Sequence, residues 1–263
     1  MEWNDNDRRD LTQAISLLEN PGLIAKISDL VGTPIEALFK ALPKGAGESV
    51  AKVTQNSLMK AVNIAVRTMD PGGRRRPRPR SHMALAGLAG GVGGAFGIAA
   101  LPFELPVTTT IIIRSIADIA RSEGEDLSDP ASRFACLEVF AMGGPSAEDD
   151  ATESGYFAVR MALAQAVSEA AKYMAKRVVV EDSAPVIVRL LAQIATRFNT
   201  VVGEKIMAQG VPVVGALGGA TINVLFIEHF QDMARGHFIV RRLERRYGEA
   251  EVRKAYAAIL AGR

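Results

Sequence analysis

Apolar residues recur at helical spacing along most of the chain. Leu11, Ile15 and Leu18 form one short stripe that Pro21-Gly22 stops, and Leu23, Ile27, Leu30 and Val31 form the next. Thr33-Pro34-Ile35-Glu36 reads as a helix start: Thr33 caps, Pro34 suits the first helical position, and Glu36 closes a capping box. A further helix is predicted over 47–69, ending before Asp70-Pro71-Gly72-Gly73. The period resumes over 106–123, with Gly124 as its stop. Asp129-Pro130 opens a helix through Met142 that Gly143-Gly144-Pro145 ends. An acidic loop over 146–151 leads to helices over 153–179 and 183–208. Residues 211–227 run into a helix over 228–247, Gly248 ends it, and 249–261 form the last one. Val178-Val179-Val180 is too short to outweigh its helical surroundings. The class is all-α, a multi-helix bundle.

Two stretches depart from the amphipathic pattern. Residues 81–103 and 206–227 carry no formal charge. The first has glycines at Gly87, Gly90, Gly91, Gly93, Gly94 and Gly97, several of them four apart. Residues four apart share a helix face, so these positions form a groove that another helix can approach closely. Gly215, Gly218 and Gly219 give the second stretch the same character, although Gln209, Pro212 and Asn223 interrupt it. Two readings follow. The segments insert into or lie against a bilayer, which takes about 20 apolar residues to span. Alternatively they are buried central helices of a soluble bundle, since a fully buried helix is apolar all round.

Between 70 and 82 the chain breaks. Arg74, Arg75, Arg76, Arg78 and Arg80 alternate with Pro77 and Pro79, which reads as an extended linker. The organisation expected is therefore an N-terminal helical region over 1–69, a linker over 70–82 and a helical domain over 83–263. Arginines directly before an apolar segment suit anionic lipid headgroups. A plain solvated linker suits the same residues. Nucleic acid is disfavoured, because no aromatic residue is interleaved to stack bases.

The second half echoes the first. A shift of 124 residues aligns Gly91 with Gly215, Leu101 with Leu225, Glu104 with Glu228 and Arg121 with Arg245. Either a structural repeat about a pseudo-two-fold axis or chance matching of Gly and Ala accounts for it.

Composition narrows the class. With 263 residues, 48% hydrophobic, the chain can bury a sizeable core and is not disordered throughout. The lone Cys136 excludes an internal disulfide scaffold and suits a reducing compartment. With 31 basic against 29 acidic residues, no global charge calls for nucleic acid. The polar start lacks a signal peptide's basic and apolar regions, so the bulk of the protein is expected in the cytoplasm, peripheral to or partly inserted at the membrane's cytoplasmic face.

Catalytic chemistry is sparse. Gly91-Val-Gly93 with Gly97 lacks the preceding strand of a dinucleotide loop. Cys136, within Phe134–Phe140, reads as a core thiol. Metal-ligand chemistry is confined to Glu228, His229, Asp232 and His237, spaced for shared helix turns, with Glu104 joining if the repeat is real. A divalent metal there would support a hydrolase; polar anchors on a helix leaving an apolar region are the plainer reading. Arg114, Asp118 and Arg121 form a charge ladder, a solvated face or, on a buried helix, an ion-pair network facing Glu228 and Asp232; Glu104, Arg114, Asp118, Glu228, Asp232 and Arg235 make up a candidate polar cluster. Arg241, Arg242, Arg245 and Arg246 complement the dipole at a helix end and could also face lipid phosphates.

Taken together, several runs resemble the bacterial EcsC protein family over roughly residues 84–262. They are Phe103-Glu-Leu-Pro-Val-Thr-Thr-Thr110, Arg114-Ser-Ile-Ala-Asp-Ile-Ala120, Gly124-Glu-Asp126, Ala135-Cys-Leu-Glu-Val-Phe140, Glu153-Ser-Gly-Tyr156, Val211-Pro-Val-Val-Gly-Ala216, His229-Phe-Gln-Asp-Met-Ala-Arg-Gly-His237 and Arg241-Arg-Leu-Glu-Arg-Arg-Tyr-Gly248. That family is named after a protein encoded beside an ABC transporter's ATPase and membrane subunits. The resemblance implies a helical, membrane-associated accessory protein and supplies no catalytic residue set. The function expected is non-enzymatic binding of anionic lipid or of a membrane-protein partner, such as ABC transporter components, with self-association open. The rival is the metal-dependent hydrolase.

Overall fold

Asn4 opens the first helix by accepting the Asp7 amide hydrogen at 2.7 Å, which satisfies one of the donors a helix start leaves unpaired. The computed structural model describes residues 3–19, 23–31, 46–67, 101–144, 155–176, 184–209 and 215–262. Among them every regular element is a helix. In chain order they are α1 (Asp5–Leu18), α2 (Leu23–Val31), α3 (Ala46–Arg67), α4 (Leu101–Ser122), α5 (Pro130–Glu138), α6 (Gly155–Ala175), α7 (Pro185–Gln209), α8 (Gly215–Tyr247) and α9 (Glu249–Ala261). The protein is an all-α bundle, as the periodicity requires.

Most predicted ends hold. Gly124 and Gly248 have φ of +81° and +89°, a left-handed conformation that only glycine adopts cheaply, and each closes a long helix. Asp129 caps α5 by accepting from the Ala131 amide. Two ends differ. Helix α4 begins at Leu101 rather than 106, because Pro106 removes only one donor near the helix start. Helix α5 stops at Glu138, and Val139–Ala141 tighten into a 3₁₀ turn. The helix start expected at Thr33–Glu36, the arginine run Arg74–Arg80 and the glycines Gly87–Gly97 lie outside the described residues.

Helix α8 is the axis of the bundle. Helix α1 packs along it, α4 lies beside it, and α7 also touches it. Helix α3 packs on α4 and α7, and α6 is held between α5 and α7. Leu11, Ile15 and Leu18 are buried, as their stripe predicts. Phe140, Phe198, Phe226 and Phe230 form an aromatic centre with ring centroids 5.0–6.2 Å apart, an edge-to-face regime that adds to simple burial. Helices α1 and α3 thus pack directly on helices of the 83–263 part.

Two hydrogen bonds fix how α4 meets α8. Thr108 reaches Asn223 at 3.5 Å, and Gln231 donates to Ser115 at 2.9 Å. Both numbers rise together, so the helices run in the same direction. The contacts span 115 and 116 residues, and these polar pairs set the register of the two helices.

Among the described residues, one stretch, Pro185–Ile206 in α7, is long and apolar enough to cross a membrane by length and composition. Of that window 44% is buried inside the bundle, and a core helix passes the same test of length and composition.

Candidate functional site

Two buried polar clusters interrupt the apolar core. The first lies near the starts of α4 and α8, beside the charge-free segments. Lys205, fully buried, donates to Glu104 Oε1 at 2.6 Å and Asn223 Oδ1 at 2.7 Å, and its ammonium sits 4.8 Å from the Phe226 ring centroid. Burial lowers the Lys205 pKa, while Glu104 pulls it back up.

The second cluster joins α5, α6 and α8. Arg160 holds Glu244 through two bonds of 2.6 and 3.0 Å. It also donates to the Tyr156 hydroxyl at 3.2 Å. That hydroxyl also shares a hydrogen bond of 3.0 Å with His237 Nδ1. Nε2 faces Glu138 Oε2 at 3.8 Å, beyond hydrogen-bond range. Burial drives the His237 pKa well down, and Arg160 and Arg241 push the same way, so the ring is neutral. Burial raises the Tyr156 pKa, so the phenol stays protonated.

Glu138 is the singular group. It is 6% exposed and accepts no hydrogen bond among the described residues. Burial raises its pKa to about 7, against the opposing pull of Arg160 and Arg241. Glu125 shows the contrast. Burial opposes its ionisation too, but hydrogen bonds from Arg241 and Ser132 outweigh it, and its pKa is lowered. Arg245 also bonds Glu125.

Glu138, Arg160, Arg241 and Glu244 form the floor of an open cleft of about 710 Å³. Its walls are small or apolar: Ala131, Phe157, Ala164, Val167 and Ala171. Lys172, Glu249 and Arg253 stand among the charged residues that line it. The arrangement offers binding volume, fixed charges, and one carboxyl that exchanges a proton near neutral pH.

The sequence-selected residues are distributed differently. The five metal candidates do not converge. Glu104 is held by Lys205, Asp232 by Lys26 and Arg235, and His237 by Tyr156, while His229 is buried against Phe230. Glu228 is half-buried on α8. Among the described residues no three His, Cys, Asp or Glu are placed to hold a metal ion, which corrects that expectation. Helical spacing put the residues on neighbouring turns, but their side chains answer to different helices.

Asp118 and Arg121 pair at 3.1 Å, and Arg114 is exposed. The four C-terminal arginines are engaged within the chain. Arg241 and Arg245 bind Glu125, Arg242 binds Asp10 and Glu123, and Arg246 binds Asp7. Gly215, Gly218 and Gly219 lie in the first turns of α8. A close helix approach occurs instead at Gly236, where an added Cβ would sit 2.5 Å from Leu18 Cγ. Cys136 is buried, and burial raises its thiol pKa, so it is an inert core thiol.

Sequence reasoning missed Lys205 and Arg160, and Glu244 entered only within the run Arg241–Gly248. Tyr156 and Glu138 stand out in the sequence only inside runs that carry the family resemblance. Both of those runs meet at the cleft floor, together with the runs holding Glu125, His237 and Arg241, and that convergence is the signal available in the sequence. A model of the EcsC protein family matches residues 11–243. The match takes in α1, whereas the resemblance drawn from motifs begins at 84. No curated protein and no solved structure matches the chain.

Proposed function

The chain belongs to the EcsC protein family, and from that premise we propose that it is a non-enzymatic accessory protein working against the cytoplasmic face of a membrane. One observation carries the reading. The first turns of α4 expose Phe103 at 80% and Val107 at 50%, and they continue directly from the charge-free segment 81–103. Large apolar side chains at such exposure lose their transfer free energy unless a lipid or a partner covers them. Arg74–Arg80, just before that segment, supplies charge for anionic headgroups. A membrane protein, such as an ABC transporter component, is the other partner of this chemistry. The metal-dependent hydrolase gains no such support, since its ligands stand apart.

Membrane fractionation with a carbonate wash, followed by flotation with anionic vesicles, tests the proposal. The native chain is expected in the membrane fraction. Phe103→Ser with Val107→Ser should weaken flotation by about tenfold or more, given roughly 1.5–3 kcal/mol for each large apolar side chain. A chain that stays wholly in the soluble fraction overturns the reading.

A further inference from the structure

The cleft between α5, α6, α8 and α9 has features that membrane contact does not use. Its floor holds a carboxyl, Glu138, with no hydrogen-bond partner among the described residues although it is over nine-tenths buried. Its carboxyl lines the open cleft, so a ligand seated there can reach it. Beside it, Arg241 spends Nε and Nη2 on Glu125 and makes no further hydrogen bond among the described residues. The volume of about 710 Å³ falls in the range of small-molecule sites, roughly 300–1,000 Å³.

Charge and shape select the ligand. Among the charged residues lining the cleft, Arg160, Lys172, Arg241 and Arg253 outnumber Glu244 and Glu249. With Glu138 protonated the excess is positive, so an anion is favoured and a cation meets repulsion. The groups facing Glu138 are Tyr156 and Arg160 from α6, and His237, Arg241 and Glu244 from α8. A proton on Glu138 near neutral pH fits this balance. Away from the floor, the wall runs along α6 from Phe157 past Ala164 to Ala171, about 21 Å at 1.5 Å per residue.

We propose that this cleft binds a single-chain amphiphile with a monoanionic carboxylate head. The head meets Glu138, as hydrogen-bond donor, and Arg241. The alkyl chain lies along the small-residue face of α6. This site is separate from the membrane-contact reading and is tested without vesicles.

The full chain is titrated with the fluorescent carboxylate cis-parinaric acid below its micelle concentration. Dodecanoate, acetate, dodecyl phosphate and dodecyltrimethylammonium then compete. Dodecanoate is expected to displace the probe at about tenfold lower concentration than any of the others. Equal displacement by the cation, or better displacement by dodecyl phosphate, overturns the proposal. So does absence of saturable binding. Ala164 is exposed on the wall, so Ala164→Trp fills the cleft without entering the core. It should weaken binding by about tenfold or more at an unchanged melting temperature, and unchanged affinity counts against the site. Glu138→Met removes the donor at similar volume and should weaken binding by about tenfold or more; an unchanged affinity refutes the donor role.

Discussion

Glu138 is a carboxyl held where water barely reaches it, and its cost is readable as pH dependence. Its pKa is about 7 in the folded chain against an ordinary 4.5. Between these values the folded state binds more protons than the unfolded one. Stability therefore falls as pH rises from about 4.5 to about 7, and is level above that. His229 works in the opposite sense. Burial, then Lys26, lowers its pKa from 6.5 to about 4. The unfolded chain takes the extra proton there, so stability falls as pH drops from about 6.5 to about 4. In the shared window the two slopes oppose. Glu138→Gln removes one of them. The variant should match the native chain near pH 4.5 and exceed it by up to roughly 3 kcal/mol above pH 7, since each tenfold change in proton affinity is worth about 1.4 kcal/mol. Urea midpoints across pH 4.5–8 decide it, and superimposable profiles would sink the assignment. None of this is visible from spacing. A glutamate at the end of an amphipathic helix looks like a solvated one until α6 and α8 are seen to close over it.

At the level of elements, α1 is fastened to α8 at both ends. Trp3 stacks on Tyr247 with centroids 4.4 Å apart, the Tyr247 hydroxyl donates to Asp7 at 2.6 Å, and Arg242 reaches Asp10. Gly236 lets the helices meet, with the Ala14 carbonyl only 3.1 Å from where a Cβ would stand. Gly236→Ala should gain about 1 kcal/mol of helix propensity, yet the contact with Leu18 outweighs it. A net loss of about 1–2 kcal/mol is expected, typical of overpacking. Trp3 is the chain's one tryptophan, so its fluorescence reports undocking directly. A more stable variant would show that α1 yields freely. The helices themselves were legible because caps, glycine stops and the 3.6-residue period are local signals. Their partners were not. The row Arg241–Arg246 reads as open to lipid until α1 and the 123–125 turn bring Asp7, Asp10, Glu123 and Glu125 against it.

For the whole molecule, the buried Lys205–Glu104 pair ties α7 to α4, and Asn223 adds α8. Lys205→Met leaves Glu104 without its cation in the interior and should cost roughly 3–5 kcal/mol. Adding Glu104→Gln should restore most of that loss, since a buried pair replaced by neutral groups is often tolerated. Chemical denaturation of the single and double variants tests this, and equal losses in both would mean the pair is not a unit. The sequence shows a lysine at the edge of an apolar run, but nothing in one dimension shows that a carboxylate and an amide oxygen wait for it across 101 and 18 residues.

The parallel course of α4 and α8 has a consequence in time. The chain must traverse α5, α6 and α7 before α8 can return to lie beside α4. Contacts that define the bundle therefore span 115 and 116 residues, and those of α1 span 232 and 240. On the ribosome α1 emerges more than two hundred residues before the part of α8 that it docks on. Leu11, Ile15 and Leu18 stay without that cover until α8 is made. Contacts so distant in sequence make folding slow, and α1 needs a temporary cover until its partner arrives.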